Sequence, residues 1–193
     1  MTIRLNNEMA SLRFLTSQDE SMILEWRNSD AVAPYMLRDT LISQEEHHHW
    51  FRGILIDTDR ALFRVMEHEG IPCGFVSLSR IDTQECSCEW GGYLSPHVPR
   101  GAELGRTLMY LSIMIAFNQL GLHQIVVEVI TGNNAAMKLY ESMGFVWCET
   151  KINRAEHKQG PVDVFVMSLQ RNDWNSLKDD LESRLIMRNL ISE

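Results

Sequence analysis

The sequence predicts an α+β domain built on a mixed, mostly antiparallel central sheet flanked by helices. Residues 61–68, 73–81 and 86–94 read as strand-like runs joined by short polar turns, the pattern of an antiparallel meander. Before and after that meander, segments with helical spacing alternate with further strand-like runs. This order implies one or two parallel pairings within a single sheet.

The elements run as follows. Residues 12–15 form a short first strand. Ser17 and Glu20 have the spacing of a capping box, so a helix opens there and runs through Met22, Ile23 and Trp26 to Asn28. Residues 29–40 form a loop around Pro34. Ser43 and Glu46 repeat the capping-box spacing and open a helix to about Ile56. After the meander, two prolines break the pattern between 95 and 100. Leu104, Leu108, Leu111 and Ile115 then mark an amphipathic helix to about Leu120, closed by Gly121. Residues 124–130 are a strand. A helix follows, capped by Asn133 or Asn134 and ended by Gly144. Residues 145–147 and 161–169 are the last strands, and 172–193 read as a charged, peripheral helix.

The chain has 193 residues, without repeats or linkers, and reads as one domain, 1–193. No apolar run is long enough to span a bilayer, and the first residues hold no apolar signal core. Cys73, Cys86, Cys88 and Cys148 have neither zinc-site nor disulfide spacing, which fits a reduced, cytoplasmic protein. The net charge of −8 argues against nucleic acid as the partner. His47, His48 and His49 are adjacent and so do not share a helix face, and no metal is expected.

Two stretches stand out chemically. Tyr140 lies on the apolar face of its helix with Ala136, Leu139 and Met143, carrying a phenol that needs a partner if buried. The turn before the amphipathic helix contains Arg100, Gly101, Ala102, Leu104, Gly105 and Arg106. A helix N-terminus there offers free amides and the positive end of a dipole, which suits a pyrophosphate.

Glu128-Val129, Asn133, Ala136, Leu139-Tyr140-Glu141 and Gly144-Phe145 together resemble the last signature segment of the GNAT superfamily of acetyl-CoA-dependent N-acetyltransferases. The order of elements is also that of the GNAT fold. The resemblance implies a sheet splayed between the fourth and fifth strands, with acetyl-CoA in the gap. It implies Tyr140 as general acid at the sulfur, and Asn133 and Ala136 beside the cofactor. Tyr93 and Leu94 would pair with the pantetheine arm, where Gly91-Gly92 permits close approach. The pyrophosphate would meet the 100–106 turn. Glu103 stands where the family has a glycine, so it is expected to point away from the phosphates. The amine must be neutral to attack, and a carboxylate can take its proton. Glu89 and Glu128 are both candidates at this stage.

A finer resemblance rests on Trp26-Arg27-Asn28, Met36, Ile42, Glu45-Glu46-His47, Phe51 and Cys88-Glu89-Gly91-Tyr93. These resemble the acetyltransferases of pseudaminic acid biosynthesis, which acetylate the 4-amino group of a UDP-linked 4-amino-4,6-dideoxy sugar. Arg27, Asn28, Met36, His47 and Tyr93 become the candidate acceptor residues, with Arg27 suited to a diphosphate. Direct transfer in a ternary complex is implied, because no cysteine sits in a nucleophile setting. A protein N-terminus or lysine is the alternative acceptor, and a degenerate acyl-CoA-binding module the alternative class. A homodimer is compatible with the resemblance.

Overall fold

The structure, a computed structural model, describes residues 10–56, 61–98, 103–188 and 190–191. Seven strands form one sheet in the order β1-β2-β3-β4-β5-β7-β6. They are β1 (Ala10–Phe14), β2 (Leu62–His68), β3 (Ile71–Asp82), β4 (Ser87–Leu94), β5 (Gln124–Ile130), β6 (Val146–Ala155) and β7 (Val162–Gln170). The helices are α1 (Glu20–Asn28), α2 (Gln44–Ile56), α3 (Leu104–Met114), α4 (Asn134–Ser142) and α5 (Arg171–Met187). A π-turn, Ile115–Gln119, prolongs α3, and Gly121 follows at φ +70°, a left-handed conformation that suits glycine.

Strand alternation divides the sheet into two faces. Val76 and Leu78 of β3, Cys88 and Trp90 of β4, and Val127 and Val129 of β5 join the main core with α3, α4 and α5. Val65, Phe75 and Tyr93 point the other way and pack with Ile23 of α1 and Phe51 of α2. Glu89 and Glu128, one residue out of phase with the main-core set, therefore lie on the α1/α2 side.

The meander, the parallel pairing and the order of elements are as the sequence predicts, with three differences. The first cap is one residue early. Thr16 is the N-cap of a 3₁₀ turn, Ser17–Asp19, and its amide donates to Asp19 Oδ2 at 2.8 Å. Asp19 also takes both ends of the Arg13 guanidinium at 2.7 Å, a partner from β1 that outbids the Ser17–Glu20 box. Strand β6 extends to Ala155, well past the apolar residues 145–147, because Lys151 and Ala155 still pair with β7. The C-terminal helix is not peripheral. Trp174, Leu181 and Leu185 are buried in the main core, and the fully buried Trp174 ring packs on Tyr110 of α3.

Candidate active site

The site is a gap in the sheet. β4 and β5 pair in parallel only from Ser87↔Gln124 to Trp90↔Val127. Past that point Gly91 to Leu94 continue on β3 alone, and Glu128 to Ile130 on β7 alone. The facing backbone groups of the two strands are left free of the ladder, available to a ligand in extended conformation.

A groove of about 810 Å³ runs through this gap. It is lined by Glu89, Tyr93 and Leu94 from β4, Glu128 from β5, Gly105 from α3, and Asn133, Ala136 and Tyr140 around α4. Arg27 and Met36 line it from the α1 side, so members of both sets of sequence-predicted residues meet at one cavity. Arg100, Gly101 and Ala102 lie outside the described residues.

Each wall has a local cause. Asn133 caps α4, accepting from the Ala136 amide at 3.2 Å, which aims the helix at the gap. Gly144 ends it at φ +90°, where an added Cβ would come within 2.6 Å of Leu177 on α5. Between these ends Tyr140 is buried, its ring edge-on to Trp90 at 5.9 Å and tilted against Phe145 at 5.7 Å. Trp90 is itself fixed by its indole N–H donating to Ser112 Oγ at 2.7 Å. Burial pushes the Tyr140 phenol well above the ordinary tyrosine range, so it stays protonated at neutral pH. The Gly91-Gly92 pair answers sheet packing as much as ligand access. A Cβ on Gly92 would lie 2.9 Å from the Phe75 carbonyl and 3.0 Å from the Trp90 ring.

The charges are already partnered. Glu128 is nearly buried, holding Lys151 Nζ at 2.8 Å and Arg154 Nη2 at 3.3 Å from β6. Glu89 holds Arg80 Nη1 at 2.8 Å. Glu103 adopts φ +61°, the left-handed region glycine would favour, and caps α3. Its carboxylate pairs with Arg106 and, at 3.3 Å, with Arg188 beyond α5. Arg106 also donates to Ser142 Oγ at 3.1 Å, and Leu104 is turned into the core. Glu103 thus holds two guanidiniums at this end of α3.

Arg27 differs from these. Its Nη2 donates to the Arg38 carbonyl, while its buried Nη1 has no hydrogen-bond partner among the described residues. Burial lowers the guanidinium's pKa from its usual value.

Two predicted acceptor residues are placed elsewhere. Asn28 spends both ends of its amide on Ile42, donating to its carbonyl at 2.8 Å and accepting from its N–H at 2.9 Å. It ties the loop to α1 instead of lining the groove. His47 is buried between α2 and α1, its Nε2 at 2.9 Å from the Glu20 carbonyl and its ring against Trp50 and Phe51. Burial pushes the imidazole's pKa down, so it is a neutral packing residue. Sequence reasoning did not find Ser77, Ser79, Tyr35 or Arg38, which also line the groove. The serines alternate on β3 in register with β4, a period-2 signal that the meander already contained.

The chain belongs to the GNAT acetyltransferase family. Residues 11–146 match the family model described as "Acetyltransferase (GNAT) domain". The chain is 31% identical over 131 residues to Acetyltransferase PseH of Campylobacter jejuni subsp. jejuni serotype O:23/36, spanning 68% of this chain and 79% of that one. It is 27% identical over 140 residues to spermidine N(1)-acetyltransferase of Vibrio cholerae, spanning 72% and 80%. The Vibrio cholerae spermidine N-acetyltransferase solved with CoA and spermine superposes with a TM-score of 0.79, covering 88% of this chain and 99% of that one at 24% identity, a likeness of fold. Acetyl-CoA is the co-substrate of this family of enzymes, and the splay, the groove and the open strand edges fit it. No helix among the described residues is long and apolar enough to cross a membrane.

Proposed function

We propose that the enzyme acetylates the primary amine of an anionic, nucleotide-linked amino sugar, the 4-amino group of a UDP-linked 4-amino-4,6-dideoxy sugar being the acceptor that the motifs favour. The observation that carries this is Arg27. It brings a half-buried guanidinium, with an N–H unpartnered among the described residues, to the groove wall, while both groove carboxylates already hold cations of their own. A diphosphate supplies the missing acceptor. A polyamine would meet a buried like charge and two carboxylates already neutralised.

In this reading Tyr140 donates a hydrogen bond to the departing sulfur. The amine proton leaves by way of Glu89. Glu128 is enclosed by two cations from β6, whereas Glu89 holds one cation and is more exposed, so an acceptor amine can reach it. Transfer is direct, within the ternary complex. Cys88 fits no covalent role, since burial pushes its thiol up to about 12.

An assay of acetyl-CoA consumption with a UDP-4-amino-4,6-dideoxy sugar, spermidine and an N-terminal peptide tests the acceptor. Turnover with the sugar is the expected result. Turnover confined to spermidine or to the peptide would overturn the reading, and coenzyme A binding without turnover on any amine would leave only a binding module.

Glu103 yields a separate expectation. Its carboxylate competes with phosphate for Arg106 and Arg188. Glu103→Gln removes the competing charge while keeping the shape, so coenzyme A should bind about tenfold more tightly, the scale of one charge-assisted contact. Calorimetry against the wild type reads this directly. Weaker binding by the variant would mean that Glu103 positions the arginines for the ligand.

A further inference from the structure

The groove wall formed by Met36, Leu37 and Arg38 has little regular structure of its own. A 3₁₀ turn, Ala33–Tyr35, precedes it, and α2 begins only at Gln44. Such a segment needs outside partners to hold one shape. Arg27 gives it one bond from below, at the Arg38 carbonyl.

Glu46 of α2 holds the Arg38 side chain at 2.6 Å, and a further set of bonds comes from the turn between β6 and β7, beyond the residues that match the family model. The Glu156 amide donates to the Leu37 carbonyl at 2.7 Å, and Arg38 pairs with Glu156 in a short parallel bridge. The His157 Nε2–H donates to the Met36 carbonyl at 2.8 Å. Asp39 closes the joint, its Oδ1 accepting from the Lys158 amide at 3.0 Å and its Oδ2 lying 4.0 Å from His157 Nδ1. Leu37 also packs on the buried Ala155, Ile130 and Val164. The same β6 strand carries Lys151 and Arg154, which hold Glu128 at the gap.

We infer that His157, in the β6–β7 turn, is a positioning residue for the acceptor site. It fixes the Met36 carbonyl, and through it the wall against which Arg27 presents its free N–H. The inference rests on the acceptor reading above. His157 touches no reacting atom, so its loss should act on acceptor binding and not on the chemical step.

His157→Ala and His157→Gln are compared with the wild type, using acetyl-CoA and the UDP-4-amino-4,6-dideoxy sugar. Glutamine can still donate to the Met36 carbonyl. The alanine variant should raise the KM for the sugar about tenfold, the scale of one buried hydrogen bond and the wall it orders. Its kcat and its KM for acetyl-CoA should stay within about twofold of wild type, by the same separation of acceptor binding from chemistry. Hydrogen exchange at 36–39 should quicken in the alanine variant, and glutamine should restore both readouts. Wild-type kinetics in His157→Ala, or equal damage to both substrates, would sink the positioning role alone. A wild-type enzyme that leaves the sugar untouched would instead sink the acceptor reading, and this assignment of the wall with it.

Discussion

Tyr140→Phe is expected to lower turnover by about ten- to a thousandfold, the range of one acid or one oriented donor. The substitution removes only the hydroxyl. The ring keeps its contacts with Trp90 and Phe145, so α4 stays seated. The chemistry sets the sign. Expulsion of coenzyme A builds negative charge on a sulfur whose conjugate thiol has a reference pKa of about 8.5 by analogy with cysteine. An ordinary phenol lies near 10, and burial pushes Tyr140 higher still. Full proton transfer would then be uphill by about 2 kcal/mol or more, whereas a hydrogen bond strengthens as charge develops. The loss should therefore appear in kcat. The KM for acetyl-CoA should move little, because a neutral thioester sulfur is a weak acceptor. Wild-type turnover in a variant whose chemical step is rate-limiting would leave Tyr140 as a packing residue only.

The same tyrosine marks where the sequence could be read and where it could not. Signals carried within one segment were legible. The apolar run of β5, bounded by glycines, gave its limits to the residue, and the Asn133-Asn134 pair announced an α4 cap, which falls on Asn133. The splay follows from family resemblance but has no local signature, since Gly91 and Gly92 sit in regular register with β3. What escaped were partners brought from far along the chain. The cap falls early, at Thr16, because its partner Asp19 is bound by Arg13 of β1. The polar stretch Glu149 to Arg154 is a strand because β7 supplies its ladder, and its cations neutralise Glu128. Arg188 reaches Glu103 only because α5 folds back on α3 through Trp174. Periodicity finds faces, but it does not report which opposite charge will meet which, and here that pairing separates the two candidate acids.

Arg27→Ala is the second large expected effect, falling on the acceptor. Its guanidinium is half-buried, with Nη2 on the Arg38 carbonyl and Nη1 unpartnered among the described residues. An unpaired buried donor costs free energy in the empty enzyme and recovers it when an anion arrives, which favours the ligand that brings one. Removing a charge-assisted pair of this kind should raise the KM for the UDP-sugar about ten- to a hundredfold. The contacts proposed for acetyl-CoA lie across the gap, with none on α1, so its affinity should be unchanged. Arg27→Lys should restore little, because an ammonium cannot hold the Arg38 carbonyl and a phosphate with one planar fork. Equal loss of both substrates would mean a damaged fold, which a melting curve would reveal. Unaltered kinetics with the UDP-sugar would remove Arg27 from the acceptor site. With spermidine the sign should reverse: deleting a buried cation from the wall should lower the KM for a polycation.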